Sequence, residues 1–136
     1  MNKIILASHG KLSEGMHNSI QMIVGNVDNC TFYGLQPGQS NEEIATQIES
    51  YINGDKENQY VIICDLLGGS VFNAVTRLAS DNVIVVSGMN MGLVISCVLE
   101  TNVLNKEKIE YLINECNEGI KVYELSNQTL GENDII

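Results

Sequence analysis

Three side chains in this sequence could between them handle a phosphoryl group: the imidazole of His9, the carboxylate of Asp65 and the hydroxyl of Ser70. A neutral imidazole is a nucleophile near pH 7. A carboxylate on its other nitrogen fixes the tautomer and stabilises the positive charge that develops as a bond forms. A helix opening at Ser70 adds backbone N–H groups and a hydroxyl for the incoming phosphoryl oxygens. Taken singly, each residue has a plainer use: His9 as a turn residue with a bonded ring, Asp65 as a turn cap, Gly68-Gly69 as a tight turn. Only their joint placement makes a phosphohistidine site.

That placement depends on two apolar runs. Tyr60 to Cys64, YVIIC, is short and rich in β-branched residues, the pattern of a strand covered on both faces of a parallel sheet. It ends on Asp65 and meets the corner Gly68-Gly69-Ser70, after which Ser70 to Ala79 has helical spacing with Ser70 as N-cap. Lys3 to Ser8, KIILAS, is a second such run and ends at Ser8-His9-Gly10. Adjacent strands of this kind bring His9 and Asp65 to one rim, the carboxyl ends of the sheet, where ligands collect.

The remaining segments complete the pattern. A helix from Ser13 carries Met16, Ile20, Ile23 and Val24 on one face and stops at Gly25-Asn26. Thr31 to Leu35 is a weaker strand closed by Gln36-Pro37-Gly38, and Ser40-Asn41-Glu42-Glu43 has the form of a capping box that opens the next helix. Asn82 to Ser87 is a fourth strand, followed by the loop Gly88 to Gly92 and helical segments at Leu93 to Glu100 and Lys106 to Asn117. The order predicts an α/β, doubly wound, mainly parallel four-stranded sheet with helices on both faces. Ile120 to Leu125, IKVYEL, partly alternates and is read as a C-terminal edge strand, paired in its own subunit or in another. The expected division is one domain over residues 1–125 and a polar tail over 126–136.

Composition sets limits. Of 136 residues, 44% are apolar and 18% charged, which suits one globular domain. No apolar run reaches membrane-span length and no signal segment opens the chain, so a cytoplasmic protein is expected. The net charge of -10 argues against nucleic acid as a partner. Cys30, Cys64, Cys97 and Cys116 are widely spaced and read as reduced thiols. No P-loop and no G-x-G-x-x-G is present, Asp65 has no neighbouring carboxylate and His9 no nearby ligand, so neither a bound nucleotide nor a metal is expected, and no cofactor. His17 is read as structural or solvated.

Ala7-Ser8-His9-Gly10, Cys64 to Ser70 followed by Phe72-Asn73-Ala74, and Ser87-Gly88-Met89-Asn90 resemble the IIA component of the mannose-type (mannose, fructose, sorbose) sugar phosphotransferase system, with Pro37-Gly38 where that family has a loop. The resemblance runs from residue 1 to about 125. It implies that the histidine carrier protein HPr phosphorylates His9, which passes the group to a IIB component for sugar uptake and phosphorylation, with membrane IIC and IID components engaged indirectly. Asp65 would orient His9, Ser70 with the backbone around Gly69 would hold the phosphoryl oxygens, and Gly10, Pro37, Gly68 and Asn90 would border the site. The resemblance also implies a homodimer that exchanges the last strand. Since the chain ends near residue 136, IIB is expected to be separate. Leu66-Leu67 and Val71 stand where relatives often carry aromatic or proline residues, so the partner-facing surface differs. Alternatives are the phosphotransfer subunit of a dihydroxyacetone kinase, a receiver-like module phosphorylated on Asp65, and a non-catalytic assembly or sugar-binding module.

Overall fold

The computed structural model describes residues 1–125. Its elements run β1 (Asn2–His9), α1 (Leu12–Val24), β2 (Cys30–Leu35), α2 (Asn41–Asn53), β3 (Gln59–Cys64), α3 (Ser70–Val75) with a 3-10 turn at Thr76–Leu78, β4 (Val83–Val86), α4 (Met91–Leu99) and α5 (Lys106–Asn117). The four strands are parallel in the order β2-β1-β3-β4.

The unbroken apolar runs of β1 and β3 have a simple cause: both of their faces are covered. Ile4, Leu6, Val61 and Ile63 pack beneath α1, α4 and α5 with Ile20, Leu93, Val94, Leu104 and Ile109. Ile5, Ala7, Ile62 and Cys64 point the other way, against Ile44, Ile48, Val71 and Val75 of α2 and α3. Successive side chains alternate across a strand, so a sheet sandwiched between helices needs apolar residues at every position. Each fully buried isoleucine contributes about 1.5–3 kcal/mol relative to an exposed one.

Two sequence expectations are corrected, and the edge strand expected at 120–125 does not pair within its own chain. Ser70 is not the N-cap of α3. Gly69 holds that place in extended conformation, and Ser70 is the first helical residue, with its hydroxyl turned away from its own helix. The same helix narrows after Val75, where the Thr76 hydroxyl donates to the Asn73 carbonyl at 2.9 Å and the chain tightens into a 3-10 turn. Residues Ile120 to Leu125 form no strand within the single chain: Gly119 and Ile120 donate to the carbonyls of Cys116 and Asn117, ending α5, and Ile120, Val122, Tyr123 and Leu125 are exposed. Among the described residues the sheet consists of β1 to β4, and this segment adds no strand to it. The tail expected at 126–136 lies outside the described residues.

Other expectations match the structure closely. Ser40 caps α2, its Oγ accepting the Glu43 N–H at 3.2 Å. His17 has a structural place, its Nε2 3.2 Å from the Cys30 carbonyl and its ring 5.1 Å from that of Phe32. All four cysteines are free, and burial pushes the thiols of Cys30, Cys64 and Cys97 up to about 12. Among the described residues no helix is long and apolar enough to cross a membrane.

Candidate functional site

The connection from β1 leads to β2 on one side of it, while β3 lies on the other, so the chain reverses its direction of winding between β1 and β3. Helices leave opposite faces there and open a crevice at the carboxyl ends of the strands. Ala7 pairs with Cys64 in register, and the Asp65 N–H continues the ladder to the Ala7 carbonyl at 3.2 Å. His9 and Asp65 therefore emerge side by side.

Asp65 Oδ2 accepts two hydrogen bonds from one residue, the His9 backbone N–H at 2.9 Å and ring Nδ1–H at 2.8 Å. The carboxylate fixes the hydrogen on Nδ1, which leaves the lone pair on Nε2. Ser70 Oγ stands 3.0 Å from Nε2 and donates to it. The imidazole side chain is 47% exposed and the carboxylate 10%, so the ring is reachable while the carboxylate is sheltered. Burial acts to raise the Asp65 pKa, but the backbone and ring hydrogen bonds from His9, with its charge, outweigh it and hold the carboxyl below its ordinary value.

The glycines shape the space around the ring. A β-carbon on Gly69 would lie 3.4 Å from His9 Cε1 and 3.2 Å from the Leu66 carbonyl oxygen, so a side chain there would press on the imidazole. Gly68 takes φ of +75° and lets the corner turn sharply into α3, its carbonyl accepting Asn73 Nδ2 at 3.2 Å. Gly10 hands the chain from β1 to α1 and donates to the Leu35 carbonyl at 2.8 Å.

The structure thus brings His9, Asp65, Gly69 and Ser70 together. Pro37 sits in the turn after β2, and Asn90 caps α4 by accepting the Leu93 N–H at 2.9 Å. Both lie on loops of the same rim, but the two ring nitrogens are taken by Asp65 and Ser70, so neither reaches them. Among the described residues no cluster of three or more His, Cys, Asp or Glu could hold a metal ion.

Three supporting residues escaped the sequence reading. Ser8 is fully buried and its Oγ accepts the Ser13 N–H at 2.8 Å, which caps α1 from the strand. Ser13, also buried, donates its hydroxyl to the Tyr33 carbonyl at 3.0 Å and ties the helix start to β2. Gly34, inside β2, leaves room for the Gly10 carbonyl, which a methyl group there would overlap. A glycine inside a strand pattern is the available signal for such a close backbone approach. The serines give no comparable sign: Ser8 lies inside a strand pattern and bonds across the corner to Ser13, whose own partner, Tyr33, is 20 residues away.

A family model described as "PTS system fructose IIA component" (EIIA-man) matches residues 3–116. The chain belongs to this mannose-type IIA family of the sugar phosphotransferase system. IIA components are phosphotransferases by family. Among curated relatives, the sorbose-specific EIIA component of Klebsiella pneumoniae is 29% identical over 107 residues, 77% of this chain and 78% of that protein. The mannose-specific EIIAB component of Escherichia coli is 23% identical over 71% of this chain but only 31% of its own length. Among solved structures, the mannose/sorbose-specific IIA subunit from Enterococcus faecalis superposes with a TM-score of 0.82 at 21% identity, covering 91% of this chain and 96% of that one, which shows the shared IIA fold.

Proposed function

We propose that this IIA component is a phosphoryl carrier that accepts phosphate from HPr on His9 and delivers it to a IIB component. The observation that carries the reading is the clamped imidazole, with Nδ1 bonded to a sheltered carboxylate and Nε2 beside a hydroxyl on a half-exposed ring. The Nε2 lone pair attacks phosphorus as the bond to the donor's ring nitrogen breaks and its electron pair returns to that nitrogen. Nδ1–H stays on the imidazole, and the positive charge of the phosphorylated ring is met by Asp65. The Ser70 O–H turns from Nε2 to a phosphoryl oxygen. Transfer onward runs the same steps in reverse, with a nucleophile of IIB attacking phosphorus. Activity confined to the cytoplasm fits this partnership.

Asp65 is a poor phosphoryl acceptor by comparison. Its Oδ2 is occupied by two donors and its Oδ1 is buried, which weakens the receiver-like alternative. A dihydroxyacetone kinase subunit would use the same His9 chemistry with a different acceptor, so the partner decides between the two.

The test is incubation with phosphoenolpyruvate, enzyme I and HPr, followed by intact mass and adduct stability, beside His9→Ala. One phosphoryl group, labile in acid, stable in alkali and absent from the variant, is the expected result, with phosphorus coupled to Nε2 in NMR. An alkali-labile adduct that survives the substitution would overturn the reading in favour of Asp65.

A further inference from the structure

We infer, independently of the carrier reading, that His17 and Gln36 guard the outer edge of β2 and close it against the β2 of a second copy.

The strand order β2-β1-β3-β4 leaves two borders to the sheet among the described residues, β2 and the shorter β4. An edge strand presents a row of unpaired N–H and C=O groups on which another strand can build. The β2 sequence, CTFYGL, suits such pairing. It holds no charged residue, no proline and a single glycine, and Thr31, Phe32 and Tyr33 all favour extended backbone. Charges and prolines are the ordinary deterrents, so β2 needs another.

That deterrent is capping by side chains. The Ile4 and Gly10 N–H groups bond to the carbonyls of Asn29 and Leu35 at 2.8 Å each, so the odd-numbered carbonyls of this stretch face β1. Alternation along the strand then turns those of Cys30, Phe32 and Gly34 outward. Two of the three are already taken. His17 Nε2–H donates to the Cys30 carbonyl at 3.2 Å, and Gln36 Nε2–H to that of Gly34 at 3.1 Å. The His17 ring also stands 5.1 Å from the ring of Phe32, the residue midway between the two capped carbonyls. Just beyond the strand, the Gln36 N–H is held by Gln39 Oε1 at 3.1 Å. An added strand must displace each cap before its own N–H can bond there, and exchanging one hydrogen bond for another gains it little.

The occupant so excluded is β2 itself, because two copies would offer each other the same uncharged hexapeptide. Its exclusion matters for the whole assembly. Pairing at β2 together with the exchange that the resemblance implies for the last strand would link each copy to two others, and growth would have no end.

His17→Ala/Gln36→Ala tests this by sedimentation velocity from micromolar to millimolar protein, with hydrogen exchange over residues 30–35 read by mass spectrometry. The double variant is expected to gain species larger than any the parent forms, and exchange of the outward amides in that segment to slow by at least about tenfold in those species. His17→Gln, which keeps a donor toward the Cys30 carbonyl, should sediment as the parent does. A double variant with the parent's sedimentation at every concentration would overturn the inference. So would association without slower exchange at 30–35, which would put the growth elsewhere. Association of His17→Gln as strong as that of the double variant would also overturn it, since packing on Phe32 rather than the capped carbonyl would then be what matters. Should circular dichroism show the double variant unfolded, Gln36→Ala alone, at an exposed position, is read by the same two measurements with the same outcomes for and against.

Discussion

His9 is gripped at both ring nitrogens, and the two grips differ in kind. The Asp65 bond decides which nitrogen carries hydrogen, so Asp65→Asn, whose amide can donate to Nδ1, is expected to turn the hydrogen to Nε2 and slow transfer from HPr by about 10²-fold or more. Single-turnover kinetics measure the loss. The same carboxylate links stability to pH. Its folded pKa is below the unfolded value of about 3.9, so its contribution is present above that value and lost as pH falls through the folded one. Urea unfolding from pH 6 to 2.5 should show the gap between parent and Asp65→Asn closing below about pH 4, and a gap constant across that range would contradict this origin. At Gly34 the constraint is backbone contact. Gly34→Ala must push the Gly10 carbonyl away, and with it the neighbouring imidazole. We expect the variant to fold, to lose the low-field Nδ1–H resonance shared with Asp65, and to transfer phosphate at least about tenfold more slowly. Retention of both the resonance and the rate would show that the turn adjusts freely.

Among the elements, β1 and β3 serve as rigid mounts and α3 as a short one with an unusual start. Because Gly69 takes the capping position, the Ser70 hydroxyl is not spent on its own helix and faces the imidazole instead. Ser40 shows the ordinary arrangement, with its side chain bonded to the Glu43 N–H three residues on. Ser40→Ala should therefore cost about 1 kcal/mol of unfolding free energy in denaturant titrations, with phosphoryl transfer unaffected, because α2 reaches the site only through the core. The contrast between the two serines is one of geometry. Both stand at helix starts, but Ser40 is the extended N-cap whose side chain bends over the first turn, whereas Ser70 is already the first helical residue.

In the molecule as a whole, the reactive rim and the apolar segment after α5 raise the question of assembly. Ile120, Val122, Tyr123 and Leu125 are each more than 70% exposed, while β4 borders the sheet. We propose that this segment pairs with the sheet of a second copy, as the family resemblance implies, which would cover the apolar side chains and add the missing edge strand. The intact chain is then expected to sediment as a dimer. A chain cut after Gly119 should sediment as a monomer and unfold at lower temperature, whereas a dimer that survives the cut would dismiss the exchange.

The sequence by itself determined the order of elements, the doubly covered strands and the rim on which His9 and Asp65 sit. Unbroken β-branched runs ending in polar corners admit few other folds, since an apolar residue at every strand position needs helices on both faces. The juxtaposition of His9 and Asp65 was legible for the same reason: each residue ends a core strand, so its place follows from the sheet. Tertiary structure alone decided that Ser70 faces the ring, that Ser8 and Ser13 tie α1 to two strands, that Gly34 makes room for Gly10, and that 120–125 forms no strand in one chain. Most of those outcomes depend on contacts between residues far apart in the chain, and Ser8 meets the Ser13 N–H only once strand and helix are both in place. Local pattern cannot encode them, because the partner that satisfies each group arrives only when the sheet is assembled.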